Sequence, residues 1–188
     1  MKKTLATLGL LLIFIGLFIM KKDDINTLIN KYFRSNNVVT LGDKNEYYRD
    51  YDFDFVQNTS NFSPNNYQDL LNIYYTVLNA GKSNFTFYCP KEYTDCLTDT
   101  ESIIKDDTLL TNINNFVHPF NNFSNINVVY SSVGEVNVKI TKLYSNDDIE
   151  AVKHKVNEIY SQIITDDISL DDKILTIHDY IINNTKYD

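Results

Sequence analysis

The chain has no tryptophan, and only five glycines, three prolines, two cysteines and three histidines among its 188 residues. Scarce glycine leaves no Gly-rich loop to cradle a phosphate or a dinucleotide. Two cysteines cannot make a structural zinc site by themselves, and the nearest histidine, His118, is off any familiar ligand spacing. Basic residues are also short: 17 Lys and Arg stand against 25 Asp and Glu, a net charge of −8. Nucleic-acid binding needs Lys/Arg stripes to neutralise phosphates. There is no such stripe, so nucleic acid is excluded as a partner. The acidity favours solubility and is silent about fold. No internal repeat is found. The Asn-rich tracts are broken by Phe, Val and Ile, which marks a folded domain rather than a disordered tail.

What the sequence does have is apolar bulk, 43% of residues, with 14 Tyr and 11 Phe carrying much of it. At this length the expectation is one compact domain plus an appended segment. The N-terminus sets the compartment. Lys2 and Lys3 precede residues 4–20, TLATLGLLLIFIGLFIM, an uncharged run closed by Lys21 and Lys22. As a helix it spans roughly 26 Å, close to a hydrocarbon core of about 30 Å. A cleaved signal has a shorter apolar region and a small-x-small site. Phe18, Ile19 and Met20 are large, and no cysteine follows for lipidation. Residues 1–22 are therefore expected to be an uncleaved signal anchor, with a cleaved signal as the alternative. The flanking lysines are nearly balanced. The outward orientation of the rest of the chain rests on the N-terminal position of the segment. Expected localisation is the cell membrane, single-pass, with the bulk extracytoplasmic.

Cys89 and Cys96 lie in FYCPKEYTDC. In an oxidising exterior a short Pro-containing loop can close a disulfide. A pair of free thiols is the competing reading. A nucleophilic thiolate is disfavoured, because Glu92, Asp95 and Asp99 surround the loop with the wrong charge.

Periodicity gives an α+β class: amphipathic helices with a small antiparallel sheet, preceded by the N-terminal transmembrane helix. Residues 23–64 read as a juxtamembrane helix, over 24–34, and a looser stretch. Within the latter, Tyr51, Phe53 and Phe55 alternate with Asp50, Asp52 and Asp54, the pattern of a half-buried strand. The D-x-D-x-D spacing invites a calcium loop, but Phe55 stands where glycine is needed and Asn61 where the bidentate Glu belongs. Residues 65–144 read as the α+β domain. It opens with a helix at 65–80 whose stripe is Leu70, Leu71, Tyr74, Val77 and Leu78, with Gly81 at C′. A strand at 85–88 leads into the cysteine loop. Thr98 and Glu101 form a capping box for a helix through Ile103 and Ile104, and a further helix runs over 109–116. Strands at 127–130 and 135–144 make a hairpin turning at Val133-Gly134. Val136, Val138 and Ile140 share one face of it, and Asn137, Lys139 and Thr141 the other. Residues 145–188 read as paired helices. The first is capped at Ser145 or Asn146 and striped by Ile149, Val152, Val156, Ile159 and Ile163.

The histidines give no catalytic pair. His178 and Asp179 are adjacent on a helix, so their side chains are expected to diverge by about 100°. His178 flanks an apolar stripe and is expected to be a partly buried packing residue. His154 is expected on a solvated face, and His118, between aromatics, in the core.

The last stretch, residues 170–188, LDDKILTIHDYIINNTKYD, carries the most regular pattern. Ile174, Ile177, Ile181 and Ile182 fall at helical spacing. Ser169 with Asp172 marks the start, and Asn183-Asn184, tolerant of the left-handed conformation, the stop. From Lys173 to Asp188 this segment resembles the helix that precedes the catalytic cysteine in bacterial transglutaminase-like proteins, which share a papain-like α+β fold and a Cys-His-Asp triad. In that family the helix ends at a Tyr-Asp like Tyr187-Asp188. The order of anchor, Asn- and Tyr-rich domain and long helix is similar to surface-anchored members. The resemblance implies acyl transfer or amide hydrolysis through a thioester for the full-length family. It also implies that the triad lies beyond Asp188, leaving this chain no catalytic, cofactor or metal residue. The alternative, from another class, is a non-catalytic cell-surface module that binds a protein, peptide or cell-wall partner.

Overall fold

The computed structural model describes residues 39–131, 134–165 and 167–186. The expected membrane segment, the helix at 24–34, Val133 of the hairpin turn and Tyr187-Asp188 lie outside them. Among the described residues no helix is long and apolar enough to cross a membrane. The chain divides into two compact units, one ending at Leu143 and one beginning at Tyr144.

The first unit is α+β. After an irregular strap, residues 39–66, come α1 (Tyr67–Asn79), β1 (Asn84–Tyr88), α2 (Cys96–Lys105), α3 (Asp107–Phe116) and a 3-10 turn (Pro119–Asn121). β2 (Phe123–Tyr130) and β3 (Glu135–Lys142) follow. The sheet is antiparallel throughout, in the order β1-β3-β2. Val136, Val138 and Ile140 of β3 are buried, and Asn137, Lys139 and Thr141 are exposed, as the alternation predicts. The register sets Phe85 and Phe87 of β1 opposite Val138 and Val136. On the other side Ile126 and Val128 of β2 meet Ile140 and Val138. These rows form the sheet side of the core.

α1 is the centre of the unit. Every residue from Ile73 to Asn79 is buried, as are Leu70 and Leu71. A helix buried all round needs partners on every side. Tyr74 meets Phe87 of the sheet edge-on, and Tyr75 meets Phe53 of the strap. The strap continues the aromatic layer: Phe53 and Phe55 pack on Phe116 of α3, and Phe62 packs on Phe85. Asn66 caps the start of α1 and Asp69 accepts from the Asn65 N–H. At the far end Lys82 N–H donates to Val77 O and Gly81 N–H to Leu78 O, with Gly81 at φ +70°. That is a Schellman closure, and the positive φ is why glycine stands there.

Several sequence expectations are corrected. The strand at Tyr51–Phe55 does not form; Phe53 and Phe55 are half-buried, Phe53 N–H turns back to Val56 O, and Arg49 and Gln57 N–H bond to side chains of α1. α2 begins at Cys96, ahead of the predicted box, and Glu101 pairs with Lys105 and Tyr130 rather than a cap. The disulfide loop supplies the start instead, through Cys96 N–H to Tyr93 O. β2 starts at Phe123, earlier than periodicity indicated, because a bulge between Phe123 and Asn125 breaks the alternation. β3 ends at Lys142.

The second unit is α4 (Asn146–Ile163) and α5 (Leu170–Asn184), which touch each other. Ser145 and Asp148 complete a capping box, and those bonds hold the Asp148 carboxyl below its usual range. Ser169 caps α5 by accepting from Asp172 N–H. α5 ends where expected, but by another device. No non-glycine residue among those described has a positive φ; Thr185 is extended, and the Asn184 amide donates back to Tyr180 O.

Candidate functional site

The most elaborated local structure is the seam between α1 and the strap. Gln68, Asn72, Thr76 and Asn79 follow at helical spacing and make a polar stripe opposite the apolar one. Each serves the strap's backbone. The Gln68 amide donates to Phe55 O, and Asn72 Oδ1 accepts from Gln57 N–H at 3.0 Å. Thr76 Oγ1 accepts from Thr59 N–H at 2.8 Å and donates to Asn72 O. Asn79, fully buried, accepts from Arg49 N–H and donates to Arg49 O and Asn58 Oδ1. Asn121, also fully buried, donates to Asn79 O and exchanges amide bonds with Asn45. Buried polar groups need such partners. An irregular segment with no ladder is tied to α1 largely by side-chain amides and hydroxyls, beside one backbone bond from Asn45 N–H to Ala80 O.

This seam positions an open cleft of about 430 Å³ lined by Thr40, Leu41, Lys44, Tyr48, Asn58, Thr59, Ser60 and Phe62. Lys44 Nζ sits 3.6 Å from the Tyr48 ring centroid, a cation–π contact, and 4.0 Å from the Asp50 carboxylate. Asn58 and Thr59 are locked by Asn79 and Thr76. The cleft offers hydroxyls, an ammonium and aromatic surface, which suit hydrogen bonding and stacking. Among the described residues that line it there is no nucleophile paired with a base.

Cys89 and Cys96 are joined in a disulfide with Cα atoms 5.7 Å apart, and both are buried. Such a bond removes both thiols from nucleophilic chemistry. The Tyr93 hydroxyl donates to the Asp99 carboxylate beside it, and burial and that bond push its pKa upward. His118 stacks on Tyr47 and Phe120, and its Nδ1 accepts from Phe120 N–H. Burial, then the Arg49 charge, lowers its pKa. Asp52 accepts from Asn58 N–H. Among the described residues no group of three or more His, Cys, Asp or Glu converges as a metal site.

The second unit corrects two expectations. His178 is exposed, and its Nδ1 lies 3.2 Å from Asp179 Oδ1. Flexible χ torsions bring together side chains whose Cβ vectors diverge. The isoleucine stripe is bare as well: α5 buries no residue, with Ile174 59% and Ile182 59% exposed. On α4, Val152 and Val156 are exposed too. His154 is solvated. The polar stripe of α1 is what sequence reading missed. Its signal, Gln68-Asn72-Thr76-Asn79 opposite the apolar stripe, was visible, but the register of the strap on it was not.

No family model, no curated protein and no solved structure matches the chain.

Proposed function

We propose that the chain is the extracytoplasmic, membrane-anchored N-terminal region of a transglutaminase-like cysteine enzyme, and that α5 opens its catalytic core. The observation that carries this reading is the bare stripe of α5 together with the family-like sequence of that helix. A helix of this regularity that buries nothing has an apolar face without its partner, since tertiary packing supplies most helical stability. In this reading the first unit stands between membrane and core, and the disulfide suits an oxidising compartment. A thiolate on the following segment attacks a glutamine amide or peptide carbonyl, the C–N bond breaks with release of ammonia or the peptide amine, and the acyl group of the thioester passes to an amine or to water as the thiolate is freed. The chain by itself supplies none of those groups.

The test has two arms. Reading the gene past Asp188 is expected to show a cysteine in a Gly/aromatic setting within a few tens of residues, then His and Asp. Supplied in trans, that segment is expected to bind this chain and to lose binding in Ile174→Asp/Ile181→Asp. A stop with no such remnant, or binding indifferent to both substitutions, overturns the reading. The isolated chain is expected to incorporate no amine into a glutamine substrate under reducing conditions. Turnover lost in Cys89→Ala or Cys96→Ala would place the chemistry in this part of the protein and overturn the reading.

The strap cleft favours a second reading, a non-catalytic surface module that binds a peptide or glycan partner. Titration of soluble cell-wall glycan fragments or peptides, followed by shifts of Tyr48 and Ser60 amides, separates it from the first. No shift in either removes it.

A further inference from the structure

β2 is an edge strand, with no further strand beside it among the described residues. Ile140 N–H donates to Ser83 O and Cys89 N–H to Gly134 O, so the even-numbered residues of β3 bond towards β1. Ser131 N–H donates to Glu135 O, which turns the odd-numbered residues towards β2. Antiparallel ladders alternate. Asn125, Asn127 and Val129, opposite Thr141, Lys139 and Asn137, therefore bond to β3. The N–H and C=O groups of Ile126, Val128 and Tyr130 point away from the sheet, and none bonds another described residue. Of these three residues Tyr130 is 42% accessible and Val128 half-buried, and Ile126, whose side chain packs in the core, keeps 7%.

Proteins protect such rims with charge, proline or a bulge, because unpaired ladder groups template a further strand. β2, FSNINVVY, carries no charge and no proline. Its one bulge lies at Phe123/Asn125 and leaves Asn125 to Tyr130 regular. β1, the opposite edge, is shorter.

We infer that β2 is a strand-addition surface whose occupant is β2 of a second copy, paired antiparallel about Val128. An uncharged strand selects no partner by charge, but it complements itself. About Val128, Ile126 faces Tyr130 of the second copy, and every facing pair of outward groups is of the hydrogen-bonded type. Each outward donor then meets an outward acceptor, and Asn127 faces Val129 of the second copy with no like charges opposed. The contact is isologous, and it joins the two sheets into one.

The test is sedimentation equilibrium of the full chain in density-matched detergent between about 1 µM and about 1 mM. A concentration-dependent dimer is expected. Asn127→Lys/Val129→Lys sets lysines against each other across the axis and is expected to weaken it about tenfold or more. Asn127→Glu/Val129→Lys sets Glu against Lys and is expected to restore it. Both positions are exposed, and unchanged circular dichroism with an intact disulfide reports the fold. A wild type monomeric over the whole range overturns the inference and leaves the rim to a foreign extended peptide. A dimer indifferent to the lysine pair overturns it too, placing association on another surface. Failure of the Glu/Lys pair to restore the dimer overturns the register about Val128.

Discussion

Replacing Asn79 by alanine tests whether side-chain amides hold the strap. Asn79 is fully buried and makes three bonds: from Arg49 N–H at 3.0 Å, to Arg49 O at 2.8 Å and to Asn58 Oδ1 at 3.0 Å. Alanine leaves the Arg49 N–H and Asn58 Oδ1 without those partners. Arg49 O keeps the Asn58 amide at 3.2 Å. Each stranded group costs about 1–3 kcal/mol. Allowing for entry of a water, the expected loss is about 3–4 kcal/mol. For a unit of this size that lowers the unfolding midpoint by about 15 °C or more. Hydrogen exchange locates the effect: the Arg49, Gln57 and Thr59 amides are expected to lose protection before those of β3. Their bonds are to α1 side chains, whereas β3 is paired on both sides. A loss under about 1 kcal/mol, with strap protection unchanged, refutes the view that α1 amides substitute for a strand ladder.

Opening Cys89–Cys96 by reduction is expected to cost about 2.5 kcal/mol on the chain-entropy argument. Denaturant midpoints with and without reductant check it, and non-reduced mass spectrometry is expected to show the linked peptides. Gly81→Ala is expected to destabilise more than Gly42→Ala. Both glycines have positive φ, but a Cβ at Gly81 meets Asn45 Nδ2 at 2.1 Å and Asn121 Oδ1 at 2.8 Å, whereas at Gly42 the nearest atom is Lys82 Nζ at 3.6 Å. The strain common to both is about 1–2 kcal/mol, and equal melting shifts for the two variants refute the close approach. Among the described residues Lys142 Nζ has no hydrogen-bond partner, and desolvation lowers its pKa to about 8 from 10.5. The unfolded chain holds that proton more tightly, so the penalty is full below about pH 8 and fades as pH rises towards 10.5. Stability from pH 8 to 9.5 is expected to rise more steeply in wild type than in Lys142→Met, and parallel profiles refute it.

Local periodicity and local chemistry were enough to place several elements from the residues alone. The stripes of α1, α4 and α5 follow from 3.6-residue spacing, and the Val136-Val138-Ile140 face from period two. Gly81 marked the end of α1 because only glycine takes φ +70° there without strain. The short cysteine spacing, together with the apolar N-terminal run that points to export, motivated the disulfide. Tertiary structure decided everything that depends on which segments meet. The alternation at Tyr51–Phe55 was real, but among the described residues no strand lies beside it, and the polar stripe of α1 bonds the strap's backbone instead. The same seam shaped the cleft, whose residues carry no motif. Whether an apolar stripe is buried is also a tertiary fact: α5 has the pattern of a core helix and buries nothing. Periodicity reports that a face can be buried, and only a packed neighbour, made by segments distant in sequence, decides whether it is.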